Sequence, residues 1–194
     1  MGRHGQTEAA GGLTRAVFLD RDGVLTRSFT RAGRPYAPTS LEEFELLPGV
    51  SEGIARLHAA GFCLVVVTNQ PDVGARKLRR EVVEQMHARL REWLPLDDIK
   101  VCYHTDADGC ACRKPKPGML LDAARERGID LSRSFMVGDR WRDVSAGKAA
   151  GGRTILVDCG YAEALRDKPD FVVTSFAEAA SIILQQPTAT TCGH

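Results

Sequence analysis

The chain has 194 residues, of which 43% are apolar and 26% are charged, so it can bury the core of one domain and differs from disordered chains. It carries 26 Lys and Arg against 25 Asp and Glu, and this net charge of +1 argues against a nucleic-acid partner. The longest apolar run, residues 62–67, is far shorter than the ~20 residues of a membrane span, and a polar segment follows Met1. We therefore expect a cytoplasmic protein with no membrane partner. We also expect a monomer.

Short apolar runs alternate with helix-period segments along most of the chain. The runs predict buried strands at 16–19, 63–67, 99–102, 134–137, 154–157 and 171–173. The segments between them predict helices at 49–60, 76–93, 118–128, 141–150 and 175–184. This alternation predicts an α/β fold, a parallel sheet with helices on both faces, in a domain spanning 15–184 between flexible tails at 1–14 and 185–194.

The helix predicted at 76–93 has one apolar face. Its members are Leu78, Val82, Met86, Leu90 and Trp93, which we interpret as core residues. His58 and His87 also fall on predicted helices, and we interpret them as surface residues without a role.

Two carboxylates follow the first predicted strand. Asp20 and Asp22 flank Arg21 and precede Gly23, which permits an unusual turn. A pair of carboxylates at the end of a buried strand is costly unless a cation lies beside it, and carboxylate oxygens suit Mg²⁺. The alternative for this pattern alone is a solvated turn.

Polar motifs also follow other strands, where parallel sheets bind ligands. Thr68-Asn69-Gln70 ends the second strand, Gly138-Asp139-Arg140 ends the fourth, and Asp143 comes one helical turn later. The segment Arg113-Lys114-Pro115-Lys116-Pro117-Gly118 leads into the third helix. Carboxylates, a hydroxyl and cations are therefore predicted to meet at one edge of the sheet.

These four motifs, in this order over about residues 16–158, resemble the haloacid dehalogenase (HAD) phosphatase superfamily. The resemblance implies a Rossmann-like domain and a phosphatase in which Asp20 attacks phosphorus. It implies that Asp22 protonates the leaving oxygen and then activates water. Asp20, Asp139 and the backbone carbonyl of Asp22 would hold Mg²⁺, and Thr68 and Lys114 would contact the transferring phosphoryl group.

The same resemblance extends to residues around the phosphoryl site. Lys116 competes with Lys114 for its role, and we prefer Lys114 because it immediately precedes the first proline of the motif. Asp143 orients a metal-bound water or Lys114, or caps the helix that begins near Trp141. The residues we assign to substrate binding are Asn69, Gln70, Arg113 and Arg140.

A second metal site is predicted between the strand at 99–102 and the lysine motif. Cys102-x-His104 and Cys110-x-Cys112 are separated by five residues, which suits tetrahedral Zn²⁺ held by three thiolates and one imidazole. Buried free thiols and a disulfide are the alternatives. Because Cys112 directly precedes Arg113, a metal here would order the segment that carries Lys114.

Two kinds of HAD phosphatase with a zinc loop resemble this chain. One acts on D-glycero-D-manno-heptose 1,7-bisphosphate, removing the 7-phosphate, and the other on histidinol phosphate. The segments at 18–25, 45–50 and 113–119 favour the first kind, whereas 71–76 departs from its usual pattern. The segments 22–49 and 68–114 are too short for a large cap domain. An alternative of another class is a zinc-stabilised module that binds phosphate without turnover.

Overall fold

A computed structural model describes residues 13–186. The strands are β1 (Ala16–Leu19), β2 (Phe29–Arg31), β3 (Arg34–Tyr36), β4 (Cys63–Asn69), β5 (Asp98–Cys102), β6 (Phe135–Gly138), β7 (Arg153–Val157) and β8 (Phe171–Val173). The helices are α1 (Val50–Ala59), α2 (Pro71–Gly74), α3 (Arg80–Trp93), α4 (Gly118–Arg127), α5 (Trp141–Ala149) and α6 (Phe176–Gln185).

Six strands form one parallel sheet, in the order β5-β4-β1-β6-β7-β8, which confirms the predicted fold class. The chain starts at β1, builds β4 and β5 on one side, and then returns to build β6, β7 and β8 on the other. Parallel sheets bind ligands where the strand order reverses in this way. The carboxyl ends of β1, β4 and β6 therefore form the position where a site is expected.

Alternate residues of β1 pack on opposite faces of the sheet. Val17 and Leu19 lie in an apolar cluster with α1, α3 and α6, whereas Ala16 and Phe18 lie in a second cluster with α4 and α5. All four side chains are at most 1% exposed. Burial on both faces explains why β1 is a continuous apolar run rather than an alternating one.

Helix α3 differs from the prediction. It begins at Arg80, so Leu78 precedes it, and Trp93 is 39% exposed and stacks on Phe44. The buried face consists of Val83, Met86, His87 and Leu90. This spacing is that of a core-facing stripe. The interpretation of His87 as a surface residue is wrong, because its side chain is 1% exposed. His58 is exposed as predicted.

The segment between β1 and α1 contains an antiparallel hairpin of β2 and β3, which was not predicted because both strands are short and partly polar. No large cap domain is present in residues 13–186, as predicted. Within the same residues no helix is long and apolar enough to cross a membrane.

The predicted tails lie mostly outside the described residues. At the domain edges, Thr14 bridges to Ile129, and α6 continues to Gln185. The ordered domain therefore extends beyond the predicted bounds of 15–184.

Candidate active site

Lys114 lies at the centre of the expected site and is 2% exposed. Its Nζ is 2.8 Å from Asp20 Oδ1 and 2.6 Å from Asp143 Oδ1, and it donates to the carbonyl of Val67 at 2.7 Å. Although burial opposes its charge, the carboxylates of Asp143 and Asp20 raise the pKa of Lys114. Each ammonium proton thus has an acceptor. Lys116 is exposed and donates to two carbonyls of the cysteine loop instead.

Three carboxylates surround this ammonium. One oxygen from each of Asp20, Asp139 and Asp143 lies within 4.8 Å of the others. Burial raises the pKa of Asp20 to about 6 and the pKa of Asp139 well above its usual value. Among the described residues, no donor hydrogen-bonds either buried oxygen of Asp139.

This donor set fits a divalent cation. Three carboxylates and one ammonium leave two negative charges, which one Mg²⁺ would balance. Mg²⁺ takes oxygen ligands and would also give the carboxylate of Asp139 the partner it lacks. The third side chain of this cluster belongs to Asp143 and not to Asp22. The sequence analysis assigned Asp22 to the Mg²⁺ site only through its backbone carbonyl.

Asp143 has two of the roles considered from the sequence. Besides contacting Lys114, its Oδ2 accepts a hydrogen bond from the backbone N–H of Arg140 at 3.1 Å, at the start of α5. The first turn of α5 is therefore tied to the lysine through one side chain.

The carboxylate of Asp22 is held by four hydrogen bonds. Arg21 donates Nε to Oδ1 at 2.9 Å and Nη2 to Oδ2 at 2.8 Å. Thr26 donates to Oδ1 at 3.1 Å, and Gln70 Nε2 donates to Oδ2 at 2.9 Å. Gln70 Nε2 is also 2.9 Å from Thr68 Oγ1. The amide of Gln70 thereby links the ends of β1 and β4.

The side chain of Asn69 has a different partner from the one we predicted. Its Nδ2 donates to the carbonyl of Lys114 at 3.0 Å, and its Oδ1 accepts from the N–H of Lys114 at 3.1 Å. Both ends of the amide are therefore used to hold the lysine segment against β4, rather than being directed at a substrate.

A cavity of about 270 Å³ opens above these groups. It is lined by Asp20, Asp22, Ser28, Pro35, Tyr36, Ala37, Thr68, Asn69, Gln70, Pro71, Asp72, Lys114, Asp139, Arg140, Arg142 and Asp143. Residues from the β2–β3 hairpin and from α2 thus form its outer walls.

The arginines are arranged differently from the sequence expectation. Arg140 lines the cavity, with its guanidinium paired to Glu163. Arg113 is not among the lining residues and instead donates to Asp106 at 2.7 Å. Arg142, which the sequence analysis missed, does line it and is 3.3 Å from the same Asp106. Its place in the first turn of α5, directly after the strand end at β6, was the signal that could have revealed it.

The predicted zinc ligands converge in one cluster. Cys102 Sγ is 3.7 Å from Cys110 Sγ and 3.2 Å from Cys112 Sγ, and the latter two are 3.3 Å apart. His104 Nδ1 lies 3.7 Å from the Cys102 sulfur and 3.4 Å from the Cys112 sulfur. Tetrahedral Zn²⁺ with ordinary bond lengths separates such ligands by about 3.5–3.8 Å. The three cysteines are free thiols, and the donor set fits Zn²⁺.

Comparison with known proteins supports the same interpretation. The HAD-hydrolase-like family model matches residues 111–179. The D-glycero-beta-D-manno-heptose-1,7-bisphosphate 7-phosphatase of Pasteurella multocida is 35% identical, over 88% of this chain and 97% of that protein. The enzyme of the same name from Pseudomonas aeruginosa is 37% identical, over 87% and 97%. This chain belongs to that family of HAD phosphatases.

A solved structure extends the likeness to three dimensions. The D,D-heptose 1,7-bisphosphate phosphatase of B. bronchiseptica, complexed with magnesium and phosphate, is 32% identical and has a TM-score of 0.79. The alignment covers 90% of this phosphatase and all of that chain. The family assignment therefore applies to the whole described domain, beyond the residues matched by the family model.

Proposed function

We propose that this phosphatase removes the 7-phosphate of D-glycero-D-manno-heptose 1,7-bisphosphate through an aspartyl-phosphate on Asp20. The observation that carries the proposal is the arrangement at the cavity floor. There Asp20 lies 2.8 Å from a buried ammonium and beside the buried carboxylate of Asp139. The relatives at 35% and 37% identity bear this activity in their names.

In the first step, a carboxylate oxygen of Asp20 forms a bond to phosphorus. The bond from phosphorus to the sugar oxygen breaks, and that oxygen takes the electron pair and a proton from Asp22. Lys114 places positive charge beside Asp20, and the hydroxyl of Thr68, 1% exposed at the cavity floor, can donate to the phosphoryl oxygens.

In the second step, water forms a bond to the same phosphorus and gives a proton to Asp22. The bond to Asp20 breaks, and its electron pair returns to the carboxylate. Both half-reactions use Asp22, which lines the cavity two residues after the nucleophile.

We propose that Asp20, Asp139 and Asp143 lie around the Mg²⁺ position, with the carbonyl of Asp22 as a further ligand. When bound, Mg²⁺ would offset negative charge on the phosphoryl group and keep Asp20 ionised. That second effect would oppose burial, which raises the pKa of Asp20 to about 6.

We propose that Cys102, His104, Cys110 and Cys112 bind one structural Zn²⁺. The four donors leave no open position for a substrate. The loop they close ends next to Lys114, and Asn69 holds the Lys114 backbone from the other side. Zinc would therefore order the segment that delivers the ammonium to Asp20.

The substrate is a small phosphorylated sugar with two phosphates, and the cavity offers cations to the second one. Arg142 lines the wall, and its Nη1 and Nη2 are 3.3–3.4 Å from Asp106. Arg140 lies beside it. A guanidinium binds phosphate with two parallel hydrogen bonds.

The test compares purified wild type on heptose 1,7-bisphosphate and histidinol phosphate with Mg²⁺, measuring released phosphate. We expect faster turnover of the heptose substrate. The opposite order would identify the histidinol-phosphate activity, which the departure at residues 71–76 makes the relevant competitor. Asp20→Asn should abolish turnover while leaving the fold intact. Wild-type inactivity on a broad phosphoester panel would indicate a binding module instead.

A further inference from the structure

Arg21 and His87 form a buried pair behind Asp22. The guanidinium of Arg21 is 0% exposed and its Nη1 is 3.0 Å from His87 Nε2. Its central carbon lies 5.3 Å from the ring centre of Phe44. Neither Arg21 nor His87 is among the residues that line the cavity. They can therefore influence a substrate only through Asp22.

The contact between the two residues defines the state of the histidine. A guanidinium only donates hydrogen bonds, so His87 Nε2 must be the acceptor and its proton must lie on Nδ1. Within residues 13–186, Nδ1 has no hydrogen-bond partner, and Glu84 Oε2 is 3.9 Å away. Burial, with the nearby charge of Arg21, lowers the pKa of His87 to about 4, so the ring is neutral near pH 7.

The four hydrogen bonds to Asp22 come from three donor residues and are not equivalent. Arg21 supplies two parallel bonds from a cation, whereas Thr26 and Gln70 supply one neutral bond each. Charge-assisted bonds are about twice as strong as neutral ones. Gln70 is also the one donor of the three that lines the cavity. The Arg21 pair is therefore the strongest of the contacts that hold Asp22, and it lies outside the cavity lining.

We propose that Arg21, held by His87, is the positioning residue that fixes the orientation of the Asp22 carboxyl group for hydrolysis of the aspartyl-phosphate. This inference rests on the proposed function. The attacking water gives its proton to Asp22 while its oxygen bonds to phosphorus and the bond to Asp20 breaks. The two bonds from Arg21 hold both oxygens of Asp22, so loss of Arg21 misplaces the group that takes this proton. With a substrate whose leaving group needs little protonation, that loss slows the second half-reaction more than the first.

The test uses p-nitrophenyl phosphate in rapid-mixing kinetics. Its leaving group needs little protonation, so formation of the aspartyl-phosphate does not depend on Asp22 as an acid. In Arg21→Lys we expect a burst approaching one nitrophenolate per chain, larger than in wild type. The following steady rate should fall about 100-fold, at the lower end of the range of general acid–base catalysis. A fall in rate without a larger burst would overturn the proposal, as would an unchanged rate.

Arg15→Lys is the matched control. Arg15 precedes β1, stacks on Phe62 at 3.9 Å and donates to the carbonyl of Ala60 at 3.0 Å, so the substitution also removes a stacked guanidinium. Arg15 does not line the cavity. Its variant should keep wild-type kinetics, and a burst there would assign the effect to general loosening of the sheet and so overturn the role of Arg21.

Two substitutions test the contribution of His87. His87→Gln keeps an acceptor near the position of Nε2 and should keep near-wild-type kinetics, whereas His87→Leu removes it and should show a larger burst and a several-fold lower steady rate. Equal kinetics in the two variants would overturn the part assigned to His87. If the wild type hydrolyses neither p-nitrophenyl phosphate nor the heptose substrate, the proposed function fails and this inference with it. An active wild type with unaffected Arg21 variants refutes this inference alone.

Discussion

Gly23→Ala should inactivate this phosphatase by moving Asp139, the proposed metal ligand. Gly23 has φ of +89°, and a β-carbon there would lie 2.0 Å from Oδ2 and 2.7 Å from Cγ of Asp139. The Oη of Tyr161 would be 3.1 Å away. Non-bonded carbon and oxygen atoms do not approach within 3.0 Å. The carboxylate must therefore retreat by about 1 Å, and a misplacement of that size near the chemistry costs about 100-fold in rate.

The matched control is Gly61→Ala. Gly61 has φ of +77°, and in the described part of the chain no atom beyond its sequence neighbours lies within 4 Å of its β-carbon position. The left-handed backbone conformation destabilises both alanine variants by the same amount, about 1–2 kcal/mol in the free energy of unfolding. Only the alanine at position 23 reaches a carboxylate.

The assay is kcat at saturating Mg²⁺, a titration of activity with Mg²⁺, and urea unfolding of both variants. We expect similar losses of stability in the two. Gly23→Ala alone should show kcat reduced about 100-fold and a weaker apparent Mg²⁺ affinity. Activity in Gly23→Ala within about twofold of Gly61→Ala would refute the placement of Asp139 as a ligand next to Gly23.

Three further predictions address the metal sites and the buried charges. Cys110→Ser should lower the zinc content from about one per chain and reduce activity and local order together; a zinc-free, fully active wild type would contradict this. Lys114→Met should destabilise the fold by about 3–5 kcal/mol without Mg²⁺, because it leaves buried carboxylates uncompensated, and by less with Mg²⁺, as thermal unfolding can measure. Because the pKa of His87 is lowered from 6.5 to about 4, the unfolded chain binds a proton that the folded chain does not, so stability should fall as pH drops through this window, by about 3 kcal/mol in total. The free energy of unfolding of His87→Gln, measured with denaturant, should lack this part of the dependence on pH. Equal pH dependence in both proteins would count against a neutral buried His87.

The sheet and the positions of its polar strand ends follow from local sequence features. Each core strand is a short apolar run. A run such as 63–67 is typical of a strand that is buried on both faces of the sheet and whose backbone N–H and C=O groups pair with strands on both sides. The hairpin at 29–36 escaped prediction because its side chains are partly exposed and carry no apolar alternation. Helix α3 begins four residues later than predicted; Met86 and Leu90 are buried as predicted, but Val83 and His87 complete the buried face instead of Leu78 and Trp93. Periodicity was counted from Leu78, which precedes the helix.

The sequence by itself indicated which polar residues meet at the proposed site, because the carboxyl ends of the strands in a parallel sheet lie together. Tertiary structure alone decided how individual side chains are used. Arg113 faces Asp106 whereas Arg142 lines the cavity, and Arg21 pairs with His87, 66 residues away in the chain. The physical reason is that a motif specifies where a Cα lies, whereas the direction of a long side chain depends on partners supplied by distant segments.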